Sequence, residues 1–394
     1  IDALKLFKIA TEMDPSKELY WIGYGHTLDK HKKFEEAEIS YRKGIKINPN
    51  NAEIYALLGN TLTELKKFED AEISYKKAIK LKPKHYQFYN NLGSIYHKLE
   101  RFAEAEIAFK IAIELNDQEP HSYMNLGNLL KELGRLDEAA SCYNNAISNK
   151  LDHHQAYYHL GLSKLKLGKL DEAERSFNKA IVIKPDYVEA HNNLGLVLSK
   201  LNKLKEAETS YKNAIKYKLD YAEAHNNLGL TLFKLNKSKE AVASYKKAIK
   251  YKPNYATAHY NLGSAMYSTG RLEEAQKCFN IAIDFRPKYV EAHNNLGVIL
   301  FSLNKLKESE VSYKKAIKYK PDYAEAHNNL GLLMQKITRL DDALVSYKKA
   351  IQFKPNYYQA HINLGATLKK LNRLEEAELS FSKAQNLNTD NNKK

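Results

Sequence analysis

A glycine returns at a fixed place in a 34-residue period, and this period constrains the fold more than any other feature. Eleven of the 16 glycines follow it without a slip of register. They are Gly25, Gly59, Gly93, Gly127, Gly161, Gly195, Gly229, Gly263, Gly297, Gly331 and Gly365. A period of this length is typical of helical hairpins that stack because one hairpin cannot bury its apolar face alone. The sequence therefore predicts an all-α solenoid and favours a binding surface over an enclosed catalytic pocket.

Four other positions keep the same period. Alanine lies 12 residues after the glycine in ten repeats and 19 residues after it in ten, an aromatic residue lies 16 after it in every repeat, and proline lies 24 after it in seven. In the repeat of Gly229 these residues are Ala241, Tyr245, Ala248 and Pro253. The set resembles the tetratricopeptide repeat, over nearly the whole chain. The resemblance implies antiparallel helix pairs stacked into a right-handed superhelix.

The period divides the chain into eleven complete repeats, numbered here from 1 (Gly25) to 11 (Gly365), and one half repeat. Residues 1–17 match a second helix whose first helix is missing, and residues 18–187 hold five divergent repeats. Residues 188–391 hold six near-identical repeats, and residues 392–394 form a tail. We expect the chain to be a segment of a longer protein.

Turn and cap residues also recur in phase. Residues that tolerate a left-handed conformation are predicted between the two helices of several repeats. They are Gly134, Gly168, Gly270, Asn202, Asn236 and Asn304. Asp186 with Glu189, and Asp322 with Glu325, predict a capping box at the start of first helices.

An asparagine column is the main candidate site. Asparagine stands two residues before the repeat glycine in eight repeats, where the resemblance places the concave wall: Asn91, Asn125, Asn193, Asn227, Asn261, Asn295, Asn329 and Asn363. In four repeats a second asparagine directly precedes the column asparagine: Asn192, Asn226, Asn294 and Asn328. An amide offers a donor and an acceptor, as the backbone of an extended peptide requires. The column is similar to the asparagine ladder in the superhelix of O-linked N-acetylglucosamine transferases. The alternative is that these amides hydrogen-bond locally.

Three aromatic residues in successive repeats lie beside the column. Phe233, Tyr267 and Phe301 follow Asn226 and its equivalents by seven residues, a spacing that places them on one face of the helix. They either anchor a partner or pack against the adjacent first helix. We predict that these aromatics and the asparagines bind a peptide along repeats 6 to 10.

The predicted function is that of a protein-interaction scaffold. The sequence has no metalloprotease, dinucleotide, phosphate-loop or nucleophile-elbow motif, so we expect neither catalysis nor a cofactor. The alternative is a substrate-recruiting arm of a glycosyltransferase or sulfotransferase whose catalytic domain lies outside this chain, which the full-length reading frame would decide. End-to-end self-association is a third interpretation.

Some partners are not expected. Members of the family that bind chaperone C-terminal tails use basic residues on first helices, where this chain has Glu189, Asn192, Glu223 and Asn226. Six histidines stand one per repeat, about 10 Å apart, which excludes a shared zinc ion with ligands at about 2 Å. They are His191, His225, His259, His293, His327 and His361.

The formal charge of +15 comes largely from lysines on second helices, which we interpret as a solvated face rather than a nucleic-acid site. No apolar run is long enough to span a membrane. Cys142 and Cys278 occupy the same repeat position four repeats apart, too far for a disulfide. Two reduced thiols predict a cytoplasmic location.

Overall fold

The structure is a computed structural model that describes residues 3–150 and 152–391, and the side chains up to residue 388. The described residues are helices joined by short turns, without a strand, which confirms the all-α prediction. They belong to two compact units, residues 1–201 and residues 202–394, and each is described by itself. The predicted tail, residues 392–394, lies outside the described residues.

The N-terminal unit contains twelve of the described helices. They are α1 (Ala3–Met13), α2 (Glu18–Lys30), α3 (Phe34–Ile47), α4 (Ala52–Glu64), α5 (Phe68–Leu81), α6 (Tyr86–Lys98), α7 (Phe102–Leu115), α8 (Pro120–Glu132), α9 (Leu136–Asn149), α10 (His154–Lys166), α11 (Leu170–Ile183) and α12 (Val188–Lys200). The C-terminal unit contains eleven. They are α13 (Leu204–Tyr217), α14 (Ala222–Lys234), α15 (Ser238–Tyr251), α16 (Ala256–Ser268), α17 (Leu272–Phe285), α18 (Val290–Ser302), α19 (Leu306–Tyr319), α20 (Ala324–Lys336), α21 (Leu340–Phe353), α22 (Tyr358–Lys370) and α23 (Leu374–Asn391).

Each helix packs against its neighbours in sequence within its unit, so first and second helices alternate along the stack. A three-residue turn joins the two helices of a repeat, and its middle residue is left-handed. This residue has φ +77° at Gly134, +76° at Gly270 and +60° at Asn236. The predicted turn residues are therefore confirmed. Glycine and asparagine tolerate this conformation more readily than other residues do, which explains their place in the repeat.

The periodic glycine is required by the aromatic residue of its own repeat. A Cβ atom on Gly229 would lie 2.5 Å from Cε1 of Tyr245, far inside van der Waals contact. Ala241 and Ala248 flank that tyrosine on α15 and are fully buried. The two helices approach closely only because small residues face the ring.

The first helices begin differently from the prediction. The residues that precede α12 and α20 are Tyr187 and Tyr323, and neither accepts a side-chain cap hydrogen bond, so the capping boxes were wrong. A buried histidine ties the chain instead. In repeat 9, Nε2 of His293 donates to the carbonyl oxygen of Pro287 at 2.9 Å. The indole of Trp21 makes the same bond to the carbonyl of Pro15 at 3.0 Å, which explains how histidine can replace the bulky aromatic.

Two further predictions concern the whole chain. Both thiols are free, with Cys142 buried and Cys278 partly buried. Burial raises the pKa of the Cys142 thiol to about 11. Among the described residues, every helix is too short or too polar to cross a bilayer.

Candidate functional site

The asparagine column follows the first helices, and its side chains differ in exposure. Asn227, Asn295 and Asn329 are half-buried, whereas Asn261 and Asn363 are each only 8% exposed. In the N-terminal unit, Asn91, Asn125 and Asn193 are half-buried as well. The half-buried members therefore keep part of the residue exposed. The burial of Asn261 and Asn363 contradicts the prediction that they bind a peptide, because the packed helices enclose their side chains.

The second asparagine of each doubled pair lies elsewhere than expected. Asn192, Asn226, Asn294 and Asn328 are at most 5% exposed and lie inside the packing of the helices. The sequence analysis placed them among the peptide-binding residues. Their burial contradicts this prediction, because an enclosed side chain is not accessible to a peptide.

Three of these buried residues, all in the C-terminal unit, accept hydrogen bonds from the column of the next repeat. Nδ2 of Asn261 donates to Oδ1 of Asn226 at 2.8 Å, and Nδ2 of Asn363 donates to Oδ1 of Asn328 at 2.9 Å. Nδ2 of Asn329 donates to Oδ1 of Asn294 at 3.0 Å. Each bond joins neighbouring first helices, so the column stabilises the stacking of repeats.

Tyrosine replaces the accepting asparagine in two repeats. The hydroxyl of Tyr260 accepts from Nδ2 of Asn295 at 3.0 Å, and the hydroxyl of Tyr158 accepts from Nδ2 of Asn193 at 3.1 Å. Neither tyrosine is among the residues predicted from the sequence. Their position three residues before the repeat glycine, shared with Asn226, could have identified them.

In Asn329 the bond to the previous repeat uses one of the two amide protons. An asparagine amide has two N–H donors and an oxygen with two lone pairs. In Asn329 one donor is engaged by Asn294. Because the amide group is planar, fixing one N–H also fixes the direction of the second N–H and of the oxygen.

The three predicted aromatics are accessible to different degrees. Tyr267 is 44% exposed, whereas Phe233 and Phe301 are half-buried. Nζ of Lys336 lies 4.6 Å from the centre of the Phe301 ring, within the range of a cation–π contact. Leu230, one turn before Phe233, is also exposed. The C-terminal unit thus presents apolar surface beside the asparagines.

The lysines of the second helices are exposed and partly paired. Glu208, which is almost fully buried, accepts from Lys212 at 2.6 Å and from Lys237 at 2.9 Å. The hydrogen bond from Lys212 holds the pKa of this carboxyl below its usual range. The pair from Lys237 links two successive repeats. These ion pairs lie on a solvated face, and the one from Lys237 also stabilises the contact between neighbouring hairpins.

The histidine row is enclosed by the stack. His225 is 2% exposed, and its Nε2 donates to the carbonyl oxygen of Leu219 at 2.9 Å. Burial lowers the pKa values of His225, His293 and His327. Within the described ranges, no group of three or more histidine, cysteine or acidic side chains is arranged to hold a metal ion.

A hollow that the sequence analysis missed lies in the N-terminal unit. It has a volume of about 410 Å³, is open to solvent, and is bounded by the helices from α2 to α6. It is lined by His26, Asp29, Phe34, Leu57, Asn60, Thr61, Thr63, Glu64, Tyr75, Asn91, Ser94 and Ile95. Leu57 stands here in place of a column asparagine. The hollow therefore coincides with a break in the asparagine column.

Comparison with curated proteins gave no match. Comparison with solved structures gave the APC/C hetero-tetramer Cut9–Hcn1, with a TM-score of 0.52 and 13% identity over 93% of this chain and 92% of that one. It also gave YrrB, a tetratricopeptide protein described as having an unusual peptide-binding site, with a TM-score of 0.42 and 28% identity over 47% of this chain and 95% of that one. PilF of Pseudomonas aeruginosa matches with a TM-score of 0.48 and 20% identity over 52% and 94%. The likeness to Cut9–Hcn1 supports the fold alone.

Family models match along most of the chain. A model described as a TPR repeat matches residues 59–100, 161–202, 199–236, 231–270, 263–303, 298–337 and 339–372. A second model, described as a tetratricopeptide repeat, matches residues 40–73. A third model with the same description matches residues 20–51, 86–119, 120–153 and 358–391. With its alternating helices and 34-residue period, the chain belongs to the tetratricopeptide repeat family.

Proposed function

We propose that the chain is a protein-interaction scaffold that binds an extended peptide along the first helices of its C-terminal unit. The amides of Asn227, Asn295 and Asn329 pair with the peptide backbone, and Tyr267 contacts a side chain of the peptide. The observation that carries this proposal is the half-buried amide that is already held by the preceding repeat, as in the bond from Asn329 to Asn294.

Such an amide is prepared for binding before the peptide arrives. The bond from Asn295 to the Tyr260 hydroxyl restricts rotation of the side chain. Binding then costs less conformational entropy than it would with a freely rotating amide, because the group is already ordered. Asn226 and Asn294 are not included among the residues proposed to contact the peptide, because both are buried.

The spacing of the column suits an extended chain. Adjacent repeats place equivalent residues about 10 Å apart, the width of a helix. An extended peptide advances about 3.3 Å per residue. Asn295 and Asn329, in adjacent repeats, therefore meet peptide residues about three apart, and Asn227 and Asn295, two repeats apart, meet residues about six apart. The peptide residues between them are left for contacts such as the one with Tyr267.

The experiment is selection from a library of unconstrained random peptides with the full chain as bait. We expect peptides that bind the wild type to lose about tenfold or more in affinity when Asn227, Asn295 and Asn329 are all replaced by alanine, since each hydrogen bond contributes about 1 kcal/mol. Circular dichroism checks that the triple variant remains helical.

The matched control replaces three exposed asparagines, Asn254, Asn280 and Asn356, by alanine, and it should bind like the wild type. Equal affinity of the wild type and the column triple variant would exclude the column as the contact. A library from which nothing is enriched would contradict the proposed function itself. The cytoplasmic location stays a prediction.

A further inference from the structure

A half-buried carboxylate lines the hollow of the N-terminal unit. Asp29 on α2 is half-buried, and its Oδ2 accepts a hydrogen bond of 2.8 Å from the hydroxyl of Tyr41. Oγ1 of Thr61 lies 3.0 Å from both carboxylate oxygens. The second helix of repeat 1 and the first helix of repeat 2 thus hold the carboxylate in a fixed orientation. Burial raises the pKa of Asp29.

The carboxylate retains acceptor capacity. A carboxylate accepts about four hydrogen bonds, and the hydroxyls of Tyr41 and Thr61 supply two donors. Glu64 and His26 also act on Asp29: Glu64 raises the pKa of the carboxyl and His26 lowers it. Glu64 also lines the hollow and brings a second negative charge to its rim.

His26 is the one basic residue in the described lining of this hollow. Among the described residues that line it, none is lysine or arginine, although the whole chain carries 62 of them. Phe34 and Leu57, which are half-buried, offer apolar surface in the same lining. A half-buried acid beside apolar side chains, with His26 as its one basic neighbour in the lining, is suited to an external cation that carries an apolar stem.

We propose that this hollow binds one arginine side chain of a polypeptide partner, with the guanidinium group on Asp29 and the methylene stem against Phe34 and Leu57. Arginine fits better than lysine because its planar group has five N–H donors in a fixed fork. Acceptors for them lie around the hollow in Asp29, Glu64 and the hydroxyl oxygen of Ser94.

The site is distinct from the asparagine surface of the C-terminal unit. Its residues all lie in the N-terminal unit, at the break in the column marked by Leu57. Loss of binding here leaves the proposed function standing, and failure of the library experiment leaves this site standing.

The probe is a blocked pentapeptide of alanine with a central arginine, compared with the same peptide carrying citrulline, which has the same shape without the charge. Calorimetry on the full chain should give an affinity for the arginine peptide at least about tenfold higher, since charge-assisted bonds are lost with citrulline. The Asp29→Asn variant keeps an oxygen that accepts from Tyr41, so we expect it to fold and to lose this preference. The Glu35→Gln variant removes an exposed carboxylate of α3 and should keep it.

A second readout separates binding from a structural role. Carbon-detected NMR should show the pKa of Asp29 falling when the arginine peptide binds, because a cation stabilises the carboxylate. Equal affinity for the two peptides, a preference that survives in Asp29→Asn, or the absence of saturable binding would each overturn the proposal.

Discussion

The bond between Asn363 and Asn328 offers the sharpest test of the column as a structural element. Nδ2 of Asn363 donates to Oδ1 of Asn328 at 2.9 Å, and the two side chains are 8% and 3% exposed. Replacing one partner leaves a buried polar group unsatisfied, at a cost of about 1–3 kcal/mol. We therefore expect Asn363→Ala and Asn328→Ala each to destabilise the array by that amount. The double variant should cost less than the sum of the single variants, with a coupling of about 1 kcal/mol.

The assay is urea unfolding followed by circular dichroism, together with hydrogen exchange of the amides in α20 and α22. Hydrogen exchange is needed because stacked repeats can open locally rather than all at once. Replacement of the exposed Asn356 by alanine is the control and should stay within about 0.5 kcal/mol of the wild type. Single variants that match this control, or a double variant whose cost is the simple sum, would refute the inter-repeat bond.

Three other outcomes follow from the packing and the pKa shifts. Gly331→Ala should destabilise the protein in urea by about 1–2 kcal/mol, because its Cβ would lie 2.5 Å from Cε1 of Tyr347 and this overpacking exceeds the gain in helix propensity; a more stable variant would contradict it. Burial lowers the pKa of His159 to about 4, so its contribution to stability is complete above its ordinary value of about 6.5 and is lost as the pH falls toward 4. In the His159→Gln variant, the free energy of unfolding measured in urea should depend less on pH over that range. A pH dependence equal to that of the wild type would contradict this prediction. A thiol reagent at mildly alkaline pH should label the partly buried Cys278 before the buried Cys142, and equal rates would contradict the burial.

The fold could be predicted from the sequence because every helix hairpin uses the same contacts between the same repeat positions. The spacing of Gly229, Ala241 and Tyr245 predicts the close contact of α14 with α15, and the contact is found. The left-handed residue between helices was predicted from its residue type, as at Asn236. Such features depend on neighbours within a single repeat, so the period reveals them. The capping boxes failed because the two helices begin one residue later than the boxes require, which places Tyr187 and Tyr323 at the N-cap.

The direction of each asparagine could not be predicted in the same way. Asn226 and Asn227 are adjacent in the chain, and helical periodicity separates them by about 100° without showing which faces the next hairpin. The packing of the following repeat decides this, and it buries Asn226. The candidate role of Asp29 was not predicted because aspartate does not recur at this position of the repeat, so the period gives no signal for it.

The most direct test of the proposed function is the side-chain amide spectrum of the full chain labelled with ¹⁵N-asparagine. A library-selected peptide added to saturation should shift the Nδ2 signals of Asn227, Asn295 and Asn329. The signals of Asn254 and Asn280 should stay in place. Saturated binding that leaves the three column signals unmoved would show that the peptide lies elsewhere and would contradict the account.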